Sequence, residues 1–251
     1  NYSRVRHFSL ERVRADLSFL LNSPAASLYL LDPTFNLPRR RCLEICRMLK
    51  ELNPQREKKI FVEVKAEYID ESMADAFLEA GIAAVAVGLQ STNPAALALM
   101  GRRLDPARFT RGMRLLRERG IWANVGVIAG LPGDTPDRFR ETLRFVSEQA
   151  LGRLFLYPLQ VFPGSTFHRA ARELGLQFEP APSYQVTCTP LISAAEMRAM
   201  INAIPNLMEE MNQPYLRELS RGVLNGLRER QAASPANPST SGGTGQKEAD
   251  G

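Results

Sequence analysis

The stretch of sequence that decides the fold is WANVGVIAGLPGDTPDRFRETLRFVSEQ, residues 122–149. Its first nine residues are mostly Val, Ala, Ile and Gly, which predicts a strand buried on both faces. A turn rich in Gly and Pro follows, and Thr135 with Pro136 then supplies the cap that opens a helix over 135–149. A strand, a tight turn and an amphipathic helix in this order form one unit of a parallel α/β sheet.

The same unit recurs along the chain. Ser9, Asp70 and Asn93 stand where helix N-caps are expected. The alternation predicts an α/β fold, either a barrel or a doubly wound sheet, whose ligands bind at the carboxyl ends of the strands. The expected strands are 27–32, 59–64, 83–90, 122–130 and 153–161, and the expected helices are 9–22, 37–52, 71–80, 94–100, 107–119 and 135–149.

The two ends of the chain depart from this rhythm. An amphipathic helix over 9–22 opens the chain with no strand before it, and the first residue is Asn1 rather than Met. We therefore expect that a first strand and its loop have been cut away. After about residue 162 the rhythm stops, a Met-rich helix follows over 194–212, and the Pro-, Ser- and Gly-rich segment from 231 onward predicts a disordered tail.

Composition limits the class of protein. The 251 residues are 44% hydrophobic, contain no apolar run of about 18 residues and begin without a signal peptide, so we expect a cytoplasmic protein that does not enter membranes. Three cysteines are too few for a disulfide framework and indicate a reducing compartment. The net charge of +5 is spread along helices, and only the arginines at 39–41 hint at nucleic-acid binding, which is therefore not expected.

Two cysteines raise the question of a metal site. Cys42 and Cys46 are followed by Leu49 where a third cysteine would complete the pattern CxxxCxxC. On a helix over 37–52 these three positions form one apolar stripe, and positions 42 and 49 lie about 10 Å apart along the axis. We therefore expect Cys42 and Cys46 to be buried hydrophobic residues and not ligands.

Polar residues and glycines mark the expected strand ends. Asp32 and Thr34 follow the first strand, where an Asp-Pro turn is the alternative explanation. Glu63 and Lys65 share one face of the second strand, which looks either into the barrel or into water. Gln90 ends the third strand and offers both a donor and an acceptor.

The fourth strand places Asn124, Gly126, Ile128 and Gly130 on one face. The two glycines leave room where a flat ligand could lie against the strand. The turn after them lacks the Lys of a P-loop, so it is a weak phosphate site. Other chemistry has little support, because no GxSxG motif occurs and His7 and His168 have no neighbouring metal ligands.

Taken together, these motifs resemble the radical S-adenosylmethionine (radical SAM) superfamily, and in particular its cobalamin-binding branch. The resemblance implies a partial (βα)6 TIM-like barrel, here without its first strand. It also implies that the CxxxCxxC cysteines precede the helix 9–22, so no catalytic residue or metal ligand is expected within this chain. The segments that carry it are 5–21, 28–36, 85–103, 126–145 and 161–170, and the implied domains are the barrel 1–175, a helical region 176–230 and the disordered tail 231–251.

The resemblance also implies residue roles around S-adenosylmethionine. Asp32 and Thr34 match the place where the family contacts the amino group. The ribose and carboxylate are matched by Glu63, Gln90 and Ser91 and, more loosely, by the pair Arg102 and Arg103. The expected binding set on the fourth strand and its turn is Asn124, Gly126, Ile128, Gly130 and Leu131, with the adenine against the Gly126–Leu131 stretch.

The implied activity is reductive cleavage of S-adenosylmethionine by a [4Fe–4S] cluster, which produces a 5′-deoxyadenosyl radical. Cobalamin would enter through a domain upstream, for methyl transfer or ring formation, and an electron donor such as flavodoxin or ferredoxin would be a partner. The substrate, a small molecule or a peptide, is not readable. This chain alone is expected to bind S-adenosylmethionine poorly and not to cleave it.

Two other functions stay open at this point. A radical SAM-like barrel that has lost its iron–sulfur cluster could act as a non-catalytic binding or scaffold module. An ordinary TIM-barrel lyase or aldolase would need a Schiff-base lysine or metal ligands at several strand ends, and Lys65 is the one lysine in a suitable place.

Overall fold

A computed structural model describes residues 5–150 and 152–233, with side-chain surroundings through residue 217. The chain divides into two units, Asn1–Asn212 and Gln213–Gly251. All the strands described lie in the first unit. The domain boundary expected near residue 175 stays a prediction.

Five parallel strands form one sheet in the order β1-β2-β3-β4-β5, so every strand pairs with its neighbour in sequence. This is the α/β arrangement that the sequence predicts, because each intervening helix returns the chain to the same end of the sheet. The strands are β1 Ser27–Leu30, β2 Lys59–Val64, β3 Ile82–Gln90, β4 Trp122–Ala129 and β5 Arg153–Pro158.

The helices also follow the predicted segments. The side chains of Ser9, Asp70, Asn93 and Thr135 each accept a hydrogen bond from a backbone N–H of the first helical turn, which confirms the predicted caps. A 3₁₀ turn, Ala66–Tyr68, follows β2. The helices of the barrel region are α1 Leu10–Leu21, α2 Arg39–Leu52, α3 Glu71–Glu79, α4 Pro94–Leu99, α5 Pro106–Glu118 and α6 Pro136–Glu148.

Alternation along the strands separates the two faces of the sheet. In β2, Ile60, Val62 and Val64 are buried in the main hydrophobic core together with the inward stripes of the helices. The residues between them, Phe61 and Glu63, are only half-buried. The helices therefore cover one face of the sheet, and the opposite face is left for a cavity.

Helix α2 confirms the interpretation of the two cysteines. Cys42, Cys46 and Leu49 are 0%, 2% and 0% exposed and pack in the main core. A hydrogen bond with Cys42, together with burial, raises the pKa of the Cys46 thiol. Metal binding needs a thiolate, so this pair is core packing and not a ligand set.

The C-terminal part of the first unit covers the outer edge of β5. Val161 N–H donates to the Tyr184 carbonyl and Val186 N–H donates to the Leu159 carbonyl, so a small hairpin extends the sheet beyond Pro158. Next to β5 itself, Asn212 accepts from Leu154 N–H at 2.7 Å and donates to the Leu154 carbonyl at 2.9 Å. The elements here are α7 Thr166–Ala170, β6 Gln177–Phe178, β7 Val186–Cys188 and α8 Ala194–Ala233.

Several predicted boundaries were wrong. Strand β1 ends at Leu30, β4 at Ala129 and β5 at Pro158, each earlier than predicted. Residues 231–233 still belong to helix α8, which corrects the predicted start of the tail. The rest of that tail, from 234 onward, lies outside the described residues. Within the described part of the chain, no helix has the length and hydropathy needed to cross a membrane.

Candidate functional site

A cavity of about 470 Å³ opens on the face of the sheet that the helices do not cover. Its lining comes from β1 through β5 and lies towards their carboxyl ends, where parallel sheets bind ligands. The structure thus brings together six of the residues that were expected to bind S-adenosylmethionine, and Lys65 with them. The six are Thr34, Glu63, Gln90, Arg102, Asn124 and Gly126.

The floor of this cavity is made of small residues. Ala86 and Gly88 of β3 lie beside Asn124 and Gly126 of β4 in the sheet register. A methyl group added at Gly126 would have its nearest neighbours at 3.8 and 3.9 Å, so it would fit in ordinary van der Waals contact without a clash. The predicted room for a flat ligand at Gly126 is present.

Gly88 is small for a different reason. An added Cβ there would clash with the side-chain amide nitrogen of Gln90, so the Gln90 side chain occupies the space that Gly88 vacates. Gln90 itself has a φ of +68° at an irregularity in the pairing of β3 with β4. Strained backbone of this kind is typical of functional sites, because it aims a side chain where a regular strand would not. Arg102 donates to the Gly88 carbonyl at 3.0 Å and closes this side of the cavity.

The other side of the cavity carries a carboxylate, a phenol and an ammonium group. Glu63 accepts a hydrogen bond from the Tyr29 hydroxyl at 3.3 Å. Burial, and next the negative charge and hydrogen bond of Glu63, raise the pKa of Tyr29, with a smaller contribution from Tyr157. Tyr29 and Tyr157 stand on the first and last strands and line the same cavity, so the sheet curves around it. Lys65 follows at the end of β2 on the same face as Glu63.

Aromatic rings line both flanks of the concave face. Tyr29 stacks on Phe61 with ring centroids 6.4 Å apart, and Phe155 stacks on Tyr157 at the same separation. The Arg153 guanidinium lies 4.8 Å from the centre of the Phe155 ring. The cavity therefore has a floor of small residues between two aromatic flanks.

Asp32 does not share this cavity with Glu63. It lines a separate cavity of about 410 Å³ that also contains His7 and Arg41. Thr34 lines both cavities, since the turn after β1 runs between them. Asp32 and Thr34 therefore share the second cavity, and only Thr34 also reaches the cavity that holds Glu63. The expected contact of this pair with the amino group of S-adenosylmethionine stays a prediction.

Ser91 lies in a buried network next to the cavity. Its hydroxyl accepts from Asn93 N–H at 3.0 Å and lies 3.5 Å from a carboxylate oxygen of Asp134. Asp134 also accepts from the Asn93 side chain and from Thr135 N–H. Burial raises the pKa of Asp134, although these hydrogen bonds act in the opposite direction. The network ties the loop after β3 to the loop after β4.

Ile128, Gly130 and Leu131 do not line the cavity. Leu131 belongs to a second hydrophobic core, and Ile128 packs against that core. Leu131 is fully buried. Gly130 has a φ of +86°, and an added Cβ would lie 2.8 Å from the Met197 sulfur. The room predicted for a flat ligand at Gly130 is therefore taken by Met197, and glycine is needed there for the turn and for close packing.

Sequence reasoning missed Tyr29, Tyr157 and the buried Asn36 and Asp134. Asn36 is 0% exposed and makes hydrogen bonds to both the N–H and the carbonyl of Lys65, at 3.0 and 2.8 Å. An Asn directly after a strand is a signal for such a bridge, and Asp134 stands in the quoted turn before the Thr135 cap. The two tyrosines stand in short apolar strands, where no pattern assigns a face.

The cysteines do not fit an iron–sulfur cluster. Cys42 and Cys46 are buried in α2, and Cys188 lies in β7. Among the described residues, no three His, Cys, Asp or Glu side chains are placed to hold a metal ion. The ligands of any iron–sulfur cluster would have to come from other residues than these.

Comparison with known proteins decides the family. The model of the Radical SAM superfamily matches residues 1–146, more than half of the 251-residue chain. The chain belongs to the radical SAM superfamily. Among curated relatives, it is 31% identical over 97 residues to oxygen-independent coproporphyrinogen III oxidase of Paracoccus denitrificans, which is 38% of this chain and 22% of that protein. It is 26% identical over 146 residues to an uncharacterized methyltransferase of Pyrococcus horikoshii, 58% of this chain and 31% of that protein.

Solved structures of radical SAM enzymes show the same fold. The methyltransferase TsrM of Kitasatospora setae, with tryptophan and an S-adenosylmethionine analogue bound, matches with a TM-score of 0.62 and 21% identity over 75% of this chain and 38% of that one. Coproporphyrinogen III oxidase (HemN) of Escherichia coli matches with a TM-score of 0.59 and 19% identity over 80% and 45% of the two chains. At this identity the likeness concerns the fold alone. The radical SAM chain described here spans less than a third of the two curated relatives.

Proposed function

We propose that this chain is the barrel portion of an enzyme that cleaves S-adenosylmethionine reductively, and that the concave cavity holds the adenosyl part of that molecule. The observation that supports this most is the room above Gly126 on the cavity floor, between polar residues from opposite sides, Glu63 on β2 and Arg102 after α4. A flat base can lie on such a floor, and the polar residues offer partners for hydroxyl and carboxylate groups.

Each cavity residue has a role in this proposal. The adenine lies against Gly126, where the backbone carries no side chain. Glu63 accepts hydrogen bonds from the ribose hydroxyls, and Gln90 offers both a donor and an acceptor. Arg102, already held by the Gly88 carbonyl, pairs with the carboxylate of the methionine part. Thr34 and Asn124 complete the lining as further polar partners.

A [4Fe–4S] cluster, when bound, would supply the electron that breaks a carbon–sulfur bond of S-adenosylmethionine and leaves a 5′-deoxyadenosyl radical. The described residues do not fit that cluster, so their own contribution is to bind and orient the adenosyl group. The curved sheet and its aromatic flanks would also keep water from the reacting carbon. The electron would come from a donor such as flavodoxin or ferredoxin.

The reaction subtype is a finer proposal. Two matched proteins are called methyltransferases, and one solved structure of TsrM carries both cobalamin and a [4Fe–4S] cluster. These names favour cobalamin-dependent methyl transfer, with ring formation as the other reaction. No residue of this chain is assigned to cobalamin. In the complete enzyme the products distinguish the outcomes, because methyl transfer leaves S-adenosylhomocysteine and radical formation followed by hydrogen abstraction leaves 5′-deoxyadenosine.

The adenosyl site can be tested on the chain itself. In the proposal the amino-acid end of S-adenosylmethionine is bound mainly through the iron–sulfur cluster, so 5′-methylthioadenosine is the suitable probe. We expect 5′-methylthioadenosine to bind several-fold more tightly than 9-methyladenine, because Glu63 and Gln90 bind the ribose. Nuclear magnetic resonance titration measures both affinities at the weak binding that we expect.

Glu63→Gln is the decisive variant. Replacing a charged acceptor by a neutral one should weaken the binding of 5′-methylthioadenosine about fivefold, since hydrogen bonds to charged groups are the stronger ones. The affinity for 9-methyladenine, which has no ribose, should not change. Glu57→Gln, at an exposed position just before β2, is the matched control and should change neither affinity. Equal binding of the two probes by the unmodified chain would rule out the proposed adenosyl site.

A further inference from the structure

Lys65 is a cation without a partner in the cavity. Its side chain is half-buried and lines the cavity, yet among the described residues its ammonium group has neither an ion pair nor a hydrogen bond. The one carboxylate in the lining, Glu63, is engaged by the Tyr29 hydroxyl. A half-buried ammonium group loses hydration, and an anionic ligand would restore its interactions.

The backbone of Lys65 is held in place. Asn36 is fully buried and bridges both the N–H and the carbonyl of Lys65, in the place of a neighbouring strand. Strand alternation puts the Lys65 side chain on the same face as Glu63. A buried side chain therefore fixes the point from which the lysine reaches into the cavity.

The proposed cofactor engages the other two charged residues of the cavity and not Lys65. Lys65 and Arg102 contribute two positive charges to the lining, and Glu63 contributes one negative charge. In the proposed function the adenosyl ligand engages Glu63 through its hydroxyls and Arg102 through its carboxylate. Lys65 then remains free for an anionic group of a second molecule.

The aromatic flanks indicate what else that molecule carries. Tyr29 and Tyr157 are 49% and 52% exposed, although large aromatic side chains favour burial. Both line the cavity, and each lies beside a phenylalanine whose ring is nearly parallel to it, with ring centroids 6.4 Å apart. Such surfaces bind planar rings by stacking and edge-to-face contact.

We propose that Lys65 binds the carboxylate of the second substrate, and that this substrate is an aromatic carboxylic acid whose ring lies along the tyrosines of the concave face. This inference rests on the proposed function, because the adenosyl ligand must leave Lys65 free. It names a substrate class and a substrate-binding residue.

Fluorinated probes test the inference by ¹⁹F nuclear magnetic resonance titration of the 251-residue chain. The acid 4-fluorophenylacetate and its amide have the same ring and differ in charge. We expect the acid to bind about fivefold more tightly than the amide, which is the size of effect that one partly exposed charge pair gives. Fluoroacetate, which lacks the ring, should bind more weakly than either.

Lys65→Met removes the charge and keeps most of the chain length, and it should abolish the preference for the acid. Lys65→Arg should retain it. Lys59→Met is the matched control, because it changes an exposed lysine at the start of the same strand, and it should behave as the unmodified chain does. Equal affinity for acid and amide in the unmodified chain, or a preference that survives in Lys65→Met, would overturn the inference. Tighter binding of 4-fluorophenyl phosphate than of the acid would also overturn it, since the anion would then be a phosphate.

A second measurement separates this inference from the proposed function. Failure of 5′-methylthioadenosine to bind would reject the adenosyl site whatever the acids do. We expect the unmodified chain to bind S-adenosylhomocysteine more tightly than 5′-methylthioadenosine, because Arg102 pairs with the carboxylate. This difference in affinity should persist in Lys65→Met. If Lys65→Met removes it, Lys65 holds the carboxylate of the cofactor, and the assignment to a second substrate is wrong.

Discussion

Gly126 occupies a position where stability and ligand binding make opposite demands. The site has room for a methyl group, and glycine in a strand costs conformational entropy. We predict that Gly126→Ala raises the free energy of unfolding by about 0.5 kcal/mol, because the unfolded chain becomes less flexible. The same methyl group would occupy the cavity floor, so 5′-methylthioadenosine should bind at least about fivefold more weakly.

Urea denaturation and the probe titration measure these two effects separately. Gly164→Ala is the contrasting variant: its site is also open, but its φ of +79° is unfavourable for alanine. That variant should lose stability and keep its affinity for the probe. Unchanged binding in Gly126→Ala would mean that no ligand reaches this part of the floor.

Asp134 provides a prediction about pH. Burial raises its pKa above the usual value of 3.8, so the native state holds the proton more tightly than the unfolded chain does. Its contribution to stability is therefore greatest at low pH and falls as pH rises from 3.8 through the raised native value. Asp134→Asn keeps an acceptor for Asn93 and Thr135 and removes the charge. Its stability relative to the unmodified chain should grow with pH across that window.

Urea denaturation at several pH values between 3.5 and 7 checks the sign. Asp134→Ala removes the acceptor as well and should be less stable than the unmodified chain throughout. A stability difference between Asp134→Asn and the unmodified chain that shrinks with rising pH would contradict the assignment.

At the level of single residues, the sequence predicts which side chains share a face of one strand, because that depends on the period of two. It does not predict which side chains of distant strands meet, because that depends on the curvature of the sheet. Glu63 and Lys65 share a face by period alone, and both line the cavity. Tyr29 and Tyr157 line one cavity because the sheet curves, which no local pattern encodes. Strand period also placed Gly130 on the ligand face, but its backbone leaves the strand at a positive φ.

Among the elements, β5 depends on helix α8 for the backbone groups at its outer edge. Asn212 alone satisfies both the N–H and the carbonyl of Leu154. We predict that Asn212→Ala lowers the free energy of unfolding by about 2–4 kcal/mol, because two buried backbone groups lose their partner. Asn206→Ala, at an exposed position of the same helix, should change it by less than about 0.5 kcal/mol. Thermal and urea denaturation of the two variants provide the comparison, and equal losses would show that the Asn212 bridge is not needed.

The elements themselves were predictable, because capped amphipathic helices and apolar strands carry strong local signals. All four predicted caps form, and the strands begin within one residue of their predicted starts. The strand ends were less predictable, since the chain leaves the sheet where tertiary contacts allow it. The bridge from Asn212 joins residues 58 positions apart and could not be read from a local pattern.

At the scale of the whole molecule, the placement of the cysteines predicts the outcome of iron–sulfur reconstitution. Cys42 and Cys46 are buried side chains of α2, and Cys188 lies in a different element, β7. We predict that anaerobic reconstitution of the 251-residue chain yields far fewer than four irons per chain, because no three thiolates converge. Cys42→Ala should lower stability, as expected for core packing, and leave the iron content unchanged.

Iron analysis and the visible absorption spectrum give the result. Close to four irons per chain, lost on replacing any of the three cysteines, would contradict this account of the thiols. The family could be predicted from the order and spacing of the rim motifs, and the family match confirms it. The substrate could not, because the residues that line the cavity come from five separate strands.

The bridge between Asn212 and Leu154 also has a kinetic consequence. An amide proton at the outer edge of a sheet ordinarily exchanges quickly with solvent deuterium, but Leu154 N–H is held at 2.7 Å by a side chain from a helix. It can exchange only when that stretch of the helix moves off the strand or the whole fold opens. The exchange rate of this one amide proton on β5 therefore measures how often the helix leaves that edge of the sheet.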